Sequence, residues 1–133
     1  MLFGQEHVTR YVKTNGEEGH DWNGAAVLIL TTTGRKSGAQ YSTPLIYGRN
    51  GDDYLVVASL GGADHHPAWY LNLEAKPDVQ VQVKGDRFAA RARTATAEEK
   101  PELWRTMLAQ WPDYDRYQKR TSREIPVVVL ERT

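Results

Sequence analysis

The apolar residues of this chain are gathered into short stretches with the length and spacing of β-strands. Residues 26–33 form a run rich in β-branched side chains, which is typical of a buried strand. In residues 78–84, valines alternate with polar residues, which predicts a strand with one buried face. Further strands are predicted at 41–47, 54–59, 87–95 and 124–130. Turn residues connect several of these segments at hairpin distance, so an antiparallel sheet is expected.

Helices occupy a smaller part of the chain. A helix is predicted at 67–75, and a second follows the capping box Thr96-Ala-Glu-Glu99, ahead of a short aromatic helical turn at 113–119. Pro44 interrupts a predicted strand, which must therefore bulge or lie at a sheet edge. Few helices and regularly spaced alternating strands favour an α+β domain closed into a small barrel. We expect this domain at residues 24–133, after an irregular or partly helical segment at 1–23.

Composition excludes several classes of function. Lys plus Arg and Asp plus Glu number 17 each, so the formal net charge is zero, whereas a dedicated nucleic-acid binder usually carries a basic excess. The absence of cysteine excludes disulfides, thiol nucleophiles and iron–sulfur clusters. We find no secretory signal and no apolar run of about 18 residues. We therefore expect a cytoplasmic protein without a membrane span, and we predict no metal site.

The segment Gly34-Arg35-Lys36-Ser37-Gly38 is the first candidate binding site. Its glycines let the backbone approach a ligand closely, while the Arg, Lys and Ser side chains supply donors for phosphate oxygens. The spacing differs from that of a P-loop. A solvated hairpin explains the same residues, and the sequence alone leaves both interpretations open.

An aromatic row forms a second candidate. Trp111, Tyr114 and Tyr117 are spaced by three, so we expect them on one helical face. That face is either part of the core or the wall of a pocket, where the tyrosine hydroxyls meet the oxygens of a planar ligand. His65 and His66 are adjacent and point apart, which makes them a poor chelating pair.

Several motifs occur together, in one order and at compatible spacing. They are Leu-Ile-Leu-Thr-Thr-Thr-Gly-Arg-Lys-Ser-Gly at 28–38, Val-Ala-Ser at 57–59, Pro-Ala-Trp-Tyr-Leu-Asn-Leu at 67–73, Tyr-Asp-Arg-Tyr-Gln at 114–118 and Arg-Glu-Ile-Pro-Val-Val-Val at 123–129. This set closely resembles the deazaflavin-dependent nitroreductase family of the flavin-binding split-barrel superfamily, which is associated with actinobacteria. The resemblance covers residues 24–131. It implies a split β-barrel of mostly antiparallel strands with a few flanking helices.

The resemblance also implies roles for individual residues. The loop residues Arg35, Lys36, Ser37 and Gly38 match those that hold the phosphate and acidic tail of the deazaflavin coenzyme F-420. The rest of the implied coenzyme site is Tyr41, Pro44, Leu45, Ile46, Ala58, Ser59, Trp69 and Asn72. The implied acceptor site is Trp111, Tyr114 and Tyr117, with Tyr114 and Ser59 as catalytic hydroxyl groups.

One departure from the family pattern affects the coenzyme tail. Tyr41 and Leu60 stand where many relatives carry a basic residue. Two fewer cations should weaken the grip on a polyglutamate tail.

By this resemblance, the chain is expected to transfer a hydride from reduced coenzyme F-420 to a quinone-like or nitro-aromatic acceptor. Two alternatives stay open: an oxidase or reductase that uses FMN, which the resemblance favours less, and a non-catalytic coenzyme carrier. The expected partner is a small-molecule acceptor and not a nucleic acid. The sequence is compatible with peripheral membrane contact, and with a monomer or a homodimer.

Overall fold

The computed structural model describes residues 2–133, in which strands dominate and four α-helices flank them. The helices are α1 Gly4–Thr14, α2 Ala68–Ala75, α3 Lys100–Gln110 and α4 Asp113–Lys119. The strands are β1 Asp21–Trp22, β2 Ala25–Thr33, β3 Gln40–Ile46, β4 Gly48–Asn50, β5 Asp53–Val57, β6 Asp78–Val83, β7 Asp86–Thr94 and β8 Val127–Arg132. No helix of the described residues is long and apolar enough to cross a bilayer.

The strands form one antiparallel sheet that curls into a split barrel. Its order is β1-β2-β6-β7-β8-β5-β4, and β3 pairs along β2. Only Tyr47 separates β3 from β4. Even so, β3 pairs with β2 and β4 pairs with β5, and these two partner strands lie near opposite ends of the sheet order. The sheet must therefore curl until β2 and β5 approach the single stretch 40–50. This architecture confirms the predicted α+β split barrel.

Alternation along the strands separates the barrel interior from the outer layers. In β2, Leu28 and Leu30 face the interior, whereas Val27 and Ile29 pack against α1. The strands β5 and β8 divide their apolar residues in the same way, between the interior and a layer under α3 and α4. Burying one such side chain stabilises the fold by about 1.5–3 kcal/mol. If a strand slipped by one residue against its neighbour, each of its side chains would move to the opposite face of the sheet. The apolar layers inside and outside the barrel therefore fix the strand register.

The edge position of β3 explains how the sheet tolerates Pro44. The Tyr47 amide donates to Ala26 O over 2.9 Å. Backbone amides alternate in direction along a strand, so residue 44 directs its backbone nitrogen away from β2, toward the free edge. The proline therefore costs no hydrogen bond in the ladder. The prediction that this strand lies at an edge is confirmed.

The N-terminal segment, predicted as irregular or partly helical, contains a regular helix that ends just before Asn15. The helix α1 has 11 residues and buries His7, Val8 and Tyr11. The Tyr11 hydroxyl donates to Val27 O over 2.8 Å and accepts from the Lys84 amide over 2.8 Å. One phenol therefore joins α1 to two separate parts of the barrel.

The predicted capping box forms, while two other local predictions were wrong. The Thr96 amide donates to the Glu99 carboxylate over 2.8 Å, and the Glu99 amide donates to Thr96 Oγ1 over 3.3 Å. Gln82 was expected on the solvent face of its strand but is buried, and its amide group donates to Lys84 O over 2.9 Å. Trp111 is the C-cap of α3 with extended backbone, so it shares no helical face with the tyrosines of α4.

Candidate active site

A cavity of about 850 Å³ lies beside the free edge of β3. Its walls come from the start of α1, from β3, from the turn after β5, from α2 and from α4. All predicted site residues line it except Gly38 and Ala58. Ala58 is fully buried in the barrel interior, in the same cluster as Tyr54 and Val56 of β5, a strand that ends at Val57, earlier than predicted. Gly38 lies in the exposed hairpin, with a φ of 75°.

The cavity has two chemically different ends, which β3 connects. Near the first residue of β3, the Tyr41 ring packs beside Gly34 and the Tyr41 hydroxyl lies 3.3 Å from Ser37 Oγ. At the last residue of β3, Ile46 packs against the cluster that contains Tyr114. Strands rise by about 3.3 Å per residue, so these two contacts lie roughly 16 Å apart. We call them the basic end and the aromatic end.

The basic end is a hairpin loop that hydrogen bonds hold against α2. Both the Arg35 amide and the Arg35 guanidinium donate to Asn72 Oδ1, over 3.2 and 2.8 Å. Asn72 is buried and its amide nitrogen lies 3.5 Å from Thr32 Oγ1, so its side chain bridges the helix and the loop. A side chain at Gly34 would bring a Cβ within 2.8 Å of the Tyr41 ring. The loop therefore needs glycine at this position.

The two cations of this loop are available to a ligand. Within the described part of the chain, neither Arg35 nor Lys36 has a carboxylate oxygen within 4.0 Å. Both side chains are exposed and line the cavity. The basic end is therefore suited to bind an anionic group such as a phosphate.

The aromatic end is assembled from three distant segments. Trp111 stacks at 5.5 Å on Trp22 of β1 and donates from its indole nitrogen to the Tyr117 hydroxyl over 3.2 Å. Phe3 packs edge-on against Trp22 at 5.7 Å, and Tyr117 packs edge-on against Tyr114 at 6.1 Å. These contacts bring the predicted aromatic residues together at one wall, although not along one helix.

Two hydroxyl groups face the cavity without a protein partner. Tyr114 is 5% exposed and Ser59 is 8% exposed. Between residues 2 and 133, neither side-chain oxygen has a hydrogen-bond partner, whereas every fully enclosed side-chain polar atom has one. Both oxygens are therefore accessible from the cavity that their residues line. Each can donate a hydrogen bond to a bound molecule.

Burial determines the protonation state of Tyr114. It raises the pKa of this phenol well above its usual value, and the neighbouring Tyr117 adds to the rise. A phenol in this environment keeps its proton throughout the physiological pH range. Tyr114 is therefore a donor of hydrogen bonds rather than a source of protons.

The start of α1 completes the aromatic end, and the sequence did not indicate this. Leu2, Phe3, Gln5 and His7 line the cavity together with the predicted residues. His7 is buried and its Nε2 lies 2.8 Å from Gly19 O, so this nitrogen carries the proton in the neutral ring. The apolar pair Val8 and Tyr11, which helical spacing puts on one face, was the available signal for this helix.

A curled antiparallel barrel with one deep cavity, cationic at one end and aromatic at the other, is the arrangement of a split-barrel protein that binds a flat cofactor. The comparisons with known proteins narrow this class. The profile of the F420H(2)-dependent quinone reductase family matches residues 3–132. The chain belongs to this family, which confirms the predicted deazaflavin-dependent reductase.

Individual relatives agree with this assignment. The chain is 44% identical over 130 residues to an F420H(2)-dependent quinone reductase of Mycobacterium tuberculosis, with 95% of this chain and 87% of the relative covered. It is similar to a solved F420-H2 dependent reductase with a TM-score of 0.74 and 38% identity, over 79% of this chain and 93% of that chain. A structure described as a domain-swapped dimer matches with a TM-score of 0.77 and 34% identity, over 96% of both chains.

Proposed function

We propose that this protein reduces quinones with a hydride from reduced coenzyme F-420. The observation that carries the proposal is the distribution of charged, polar and aromatic groups along this cavity. One end presents two cations without acidic partners, and the Tyr114 and Ser59 hydroxyl groups line the same cavity without protein partners. Membership of the quinone reductase family identifies the two ligands that this pair of ends fits.

The residues present fit the coenzyme. Arg35, Lys36 and Ser37 would hold its phosphate and acidic tail at the basic end. The half-buried strand segment Pro44–Ile46 and the buried Trp69 offer a mainly apolar surface for its ring system. Tyr41 at the rim is 52% exposed and supplies no cation for a longer tail. The accessible Ser59 hydroxyl offers a donor to a ring heteroatom.

When bound, the reduced deazaflavin supplies the hydride. The protein contributes orientation, because holding two reactants at about 3–3.5 Å converts binding into rate. Negative charge develops on the acceptor oxygen, and the Tyr114 hydroxyl donates a hydrogen bond to it. Preorganised donors of this kind contribute on the order of 10²–10³-fold in rate. The rings of Trp111 and Tyr117 hold a planar quinone and exclude water, and a flat nitro-aromatic acceptor meets the same contacts.

Coenzyme preference provides the test. Fluorescence titrations of the purified protein with coenzyme F-420 and with FMN, run in parallel, should show at least tenfold tighter binding of F-420, or about 1.4 kcal/mol. The family assignment favours this outcome over the FMN alternative. Equal or tighter binding of FMN would overturn the proposal. Tight F-420 binding without quinone reduction would instead indicate a carrier.

We also propose that the protein forms a homodimer, as the solved relative described as a domain-swapped dimer does. Sedimentation velocity tests this, with a single species of twice the 15.1 kDa chain mass as the expected result. A monomer at all concentrations would contradict it. The cytoplasmic location and the peripheral membrane contact stay predictions.

A further inference from the structure

Two guanidinium groups hold the segment that joins β5 to α2: Arg120 donates from Nη1 to Gly61 O over 3.2 Å, and Arg123 makes the larger set of contacts. Arg123, just before β8, donates from Nε to Ala63 O over 2.7 Å and from Nη2 to Ser59 O over 2.8 Å and Ala58 O over 3.3 Å. Its Nη1 donates to His66 Nδ1 over 3.1 Å. All of these acceptors belong to residues 58–66, about sixty positions earlier in the chain.

The chemistry of this contact differs from an ion pair. In the part of the chain that the structure describes, Arg123 has no carboxylate oxygen within 4.0 Å. Its partners are backbone carbonyls and one ring nitrogen, which a planar fork of donors can reach together. Hydrogen bonds from a charged donor are stronger than those between neutral groups, so the contact is strong without being a salt bridge.

The segment under Arg123 has an unusual backbone. Leu60, Gly61 and Gly62 have φ values of 45°, 63° and 88°, three consecutive left-handed residues. A left-handed conformation is unfavourable for leucine and persists only where the surroundings hold it. Leu60 is also 48% exposed, so apolar packing does not hold it there.

This turn forms part of the cavity wall. Ser59, Leu60 and Gly61 line the cavity directly. On its other side the turn touches α4, since a Cβ at Gly62 would lie 2.7 Å from Tyr117 O. The Ser59 hydroxyl therefore keeps its place relative to the tyrosines of α4 only if the turn stays fixed.

We propose that Arg123 is a positioning residue for coenzyme binding, because it holds the left-handed turn 60–62 that presents Ser59 to the cavity. Arg123 does not line the cavity, so it acts through the turn and not on a ligand. This inference rests on the proposed function for the identity of the ligand.

The substitution Arg123→Lys tests the inference, since lysine keeps the charge but cannot bridge these acceptors. The matched control is Arg132→Lys, at an exposed ion pair with Asp86. We expect Arg123→Lys to weaken F-420 binding by about tenfold. In the coenzyme-free protein, hydrogen exchange of the Gly62 and Ala63 amides, which donate to Ser59 O and Leu60 O, should accelerate by tenfold or more. The control should change neither.

The inference would be overturned if Arg123→Lys lowered the Tm but left the F-420 affinity and the exchange at Gly62 and Ala63 unchanged. Arg123 would then have a purely structural role.

A milder variant is His66→Phe, which removes one acceptor and keeps a ring packed against Tyr70, at a centroid distance of 4.7 Å in wild type. It should show the same two effects to a smaller extent, and it decides the question if Arg123→Lys does not fold. The exchange readout needs no coenzyme, so it still shows whether Arg123 holds the turn if wild type fails to bind F-420 and the proposed function falls.

Discussion

The two ends of the cavity are built in different ways. The basic end is one hairpin between β2 and β3, exposed to solvent and closed within a few residues. Its amide at Gly34 donates to Ala39 O over 2.7 Å, and the Gly38 amide donates back to Gly34 O over 3.0 Å. The aromatic end combines the start of α1, β1 and α4, which are far apart in sequence, and its side chains range from the buried Tyr114 to the half-buried Trp22, Trp111 and Tyr117 and the exposed Phe3.

This difference separates binding from chemistry. Exposed cations attract anions over some distance, but solvent and salt weaken their contacts. The Tyr114 and Ser59 hydroxyl groups belong to buried residues, and in a lower dielectric a directed hydrogen bond has a larger effect on developing charge. We therefore expect substitutions at the basic end to change coenzyme affinity, and substitutions at the aromatic end to change turnover.

The largest expected effect is at Tyr114. Tyr114→Phe keeps the ring and removes the hydroxyl, so F-420 affinity and Tm should change little while quinone turnover falls by roughly 10²-fold. Steady-state kinetics with a soluble naphthoquinone measures this, with Tyr41→Phe at the exposed rim as the matched control. Full turnover accompanied by a lower Tm would make Tyr114 part of the core and remove the distinction between the two ends.

A smaller effect is expected at Lys36. Lys36→Ala should raise the Kd for F-420 at low salt. The loss of binding free energy should be near the contribution of one charged hydrogen bond, about 1.5–3 kcal/mol. The loss should shrink as salt is added, because screening weakens the contact in wild type. Lys13→Ala, an exposed lysine of α1 away from the cavity, is the control. An unchanged Kd at low salt would return the basic end to an ordinary solvated hairpin.

The smallest effect concerns stability at alkaline pH. Burial raises the pKa of Tyr114 above the usual 10.0, so its contribution to folding is complete below pH 10 and is lost as pH rises further. Wild type should lose about 1.4 kcal/mol per pH unit above about 10 from this one group. Urea unfolding at pH 9 and pH 11 should show a smaller loss for Tyr114→Phe, while Tyr41→Phe follows wild type. Equal losses in all three proteins would mean that the Tyr114 phenol is not buried.

Three other tyrosines give all three proteins a shared background in that experiment, since burial raises the pKa of Tyr47 and Tyr70 as well as that of Tyr11. Burial raises the pKa of Tyr11 to about 12, against the lowering effect of the Lys84 amide. Like Tyr114, protonated Tyr11 stabilises the folded state, and this contribution to the free energy of unfolding is lost between pH 10 and about 12.

The sequence predicted best where the determining interactions are local. The hairpin at 34–38 follows from its glycines, and the capping box at Thr96 and Glu99 is a contact over three residues. The alternating valines in β6 predicted a strand for the same reason, because alternation at every second residue is visible without knowing which strand pairs with β6. The edge position of β3 followed from one missing amide at Pro44.

Tertiary contacts decided what the sequence did not predict. The helix α1 looked irregular because Asn15 and Gly16 suggested a loop, whereas they end a helix in the left-handed conformation, with φ of 53° and 81°. Trp111 joins the tyrosines of α4 through stacking on Trp22 and not through helical spacing. Gln82 has a polar side chain in a position that is covered in the fold, where it bonds to Lys84 O.

The most direct test of the account is a single-turnover reaction without oxygen. Protein loaded with reduced coenzyme F-420 is mixed with a soluble naphthoquinone, and oxidation of the coenzyme is followed by its absorbance. We predict oxidation of one coenzyme per active site, at a rate that saturates with quinone and falls by roughly 10²-fold in Tyr114→Phe. Oxidation no faster than that of the coenzyme in protein-free buffer would contradict the claim that this cavity brings a hydride donor and a quinone together.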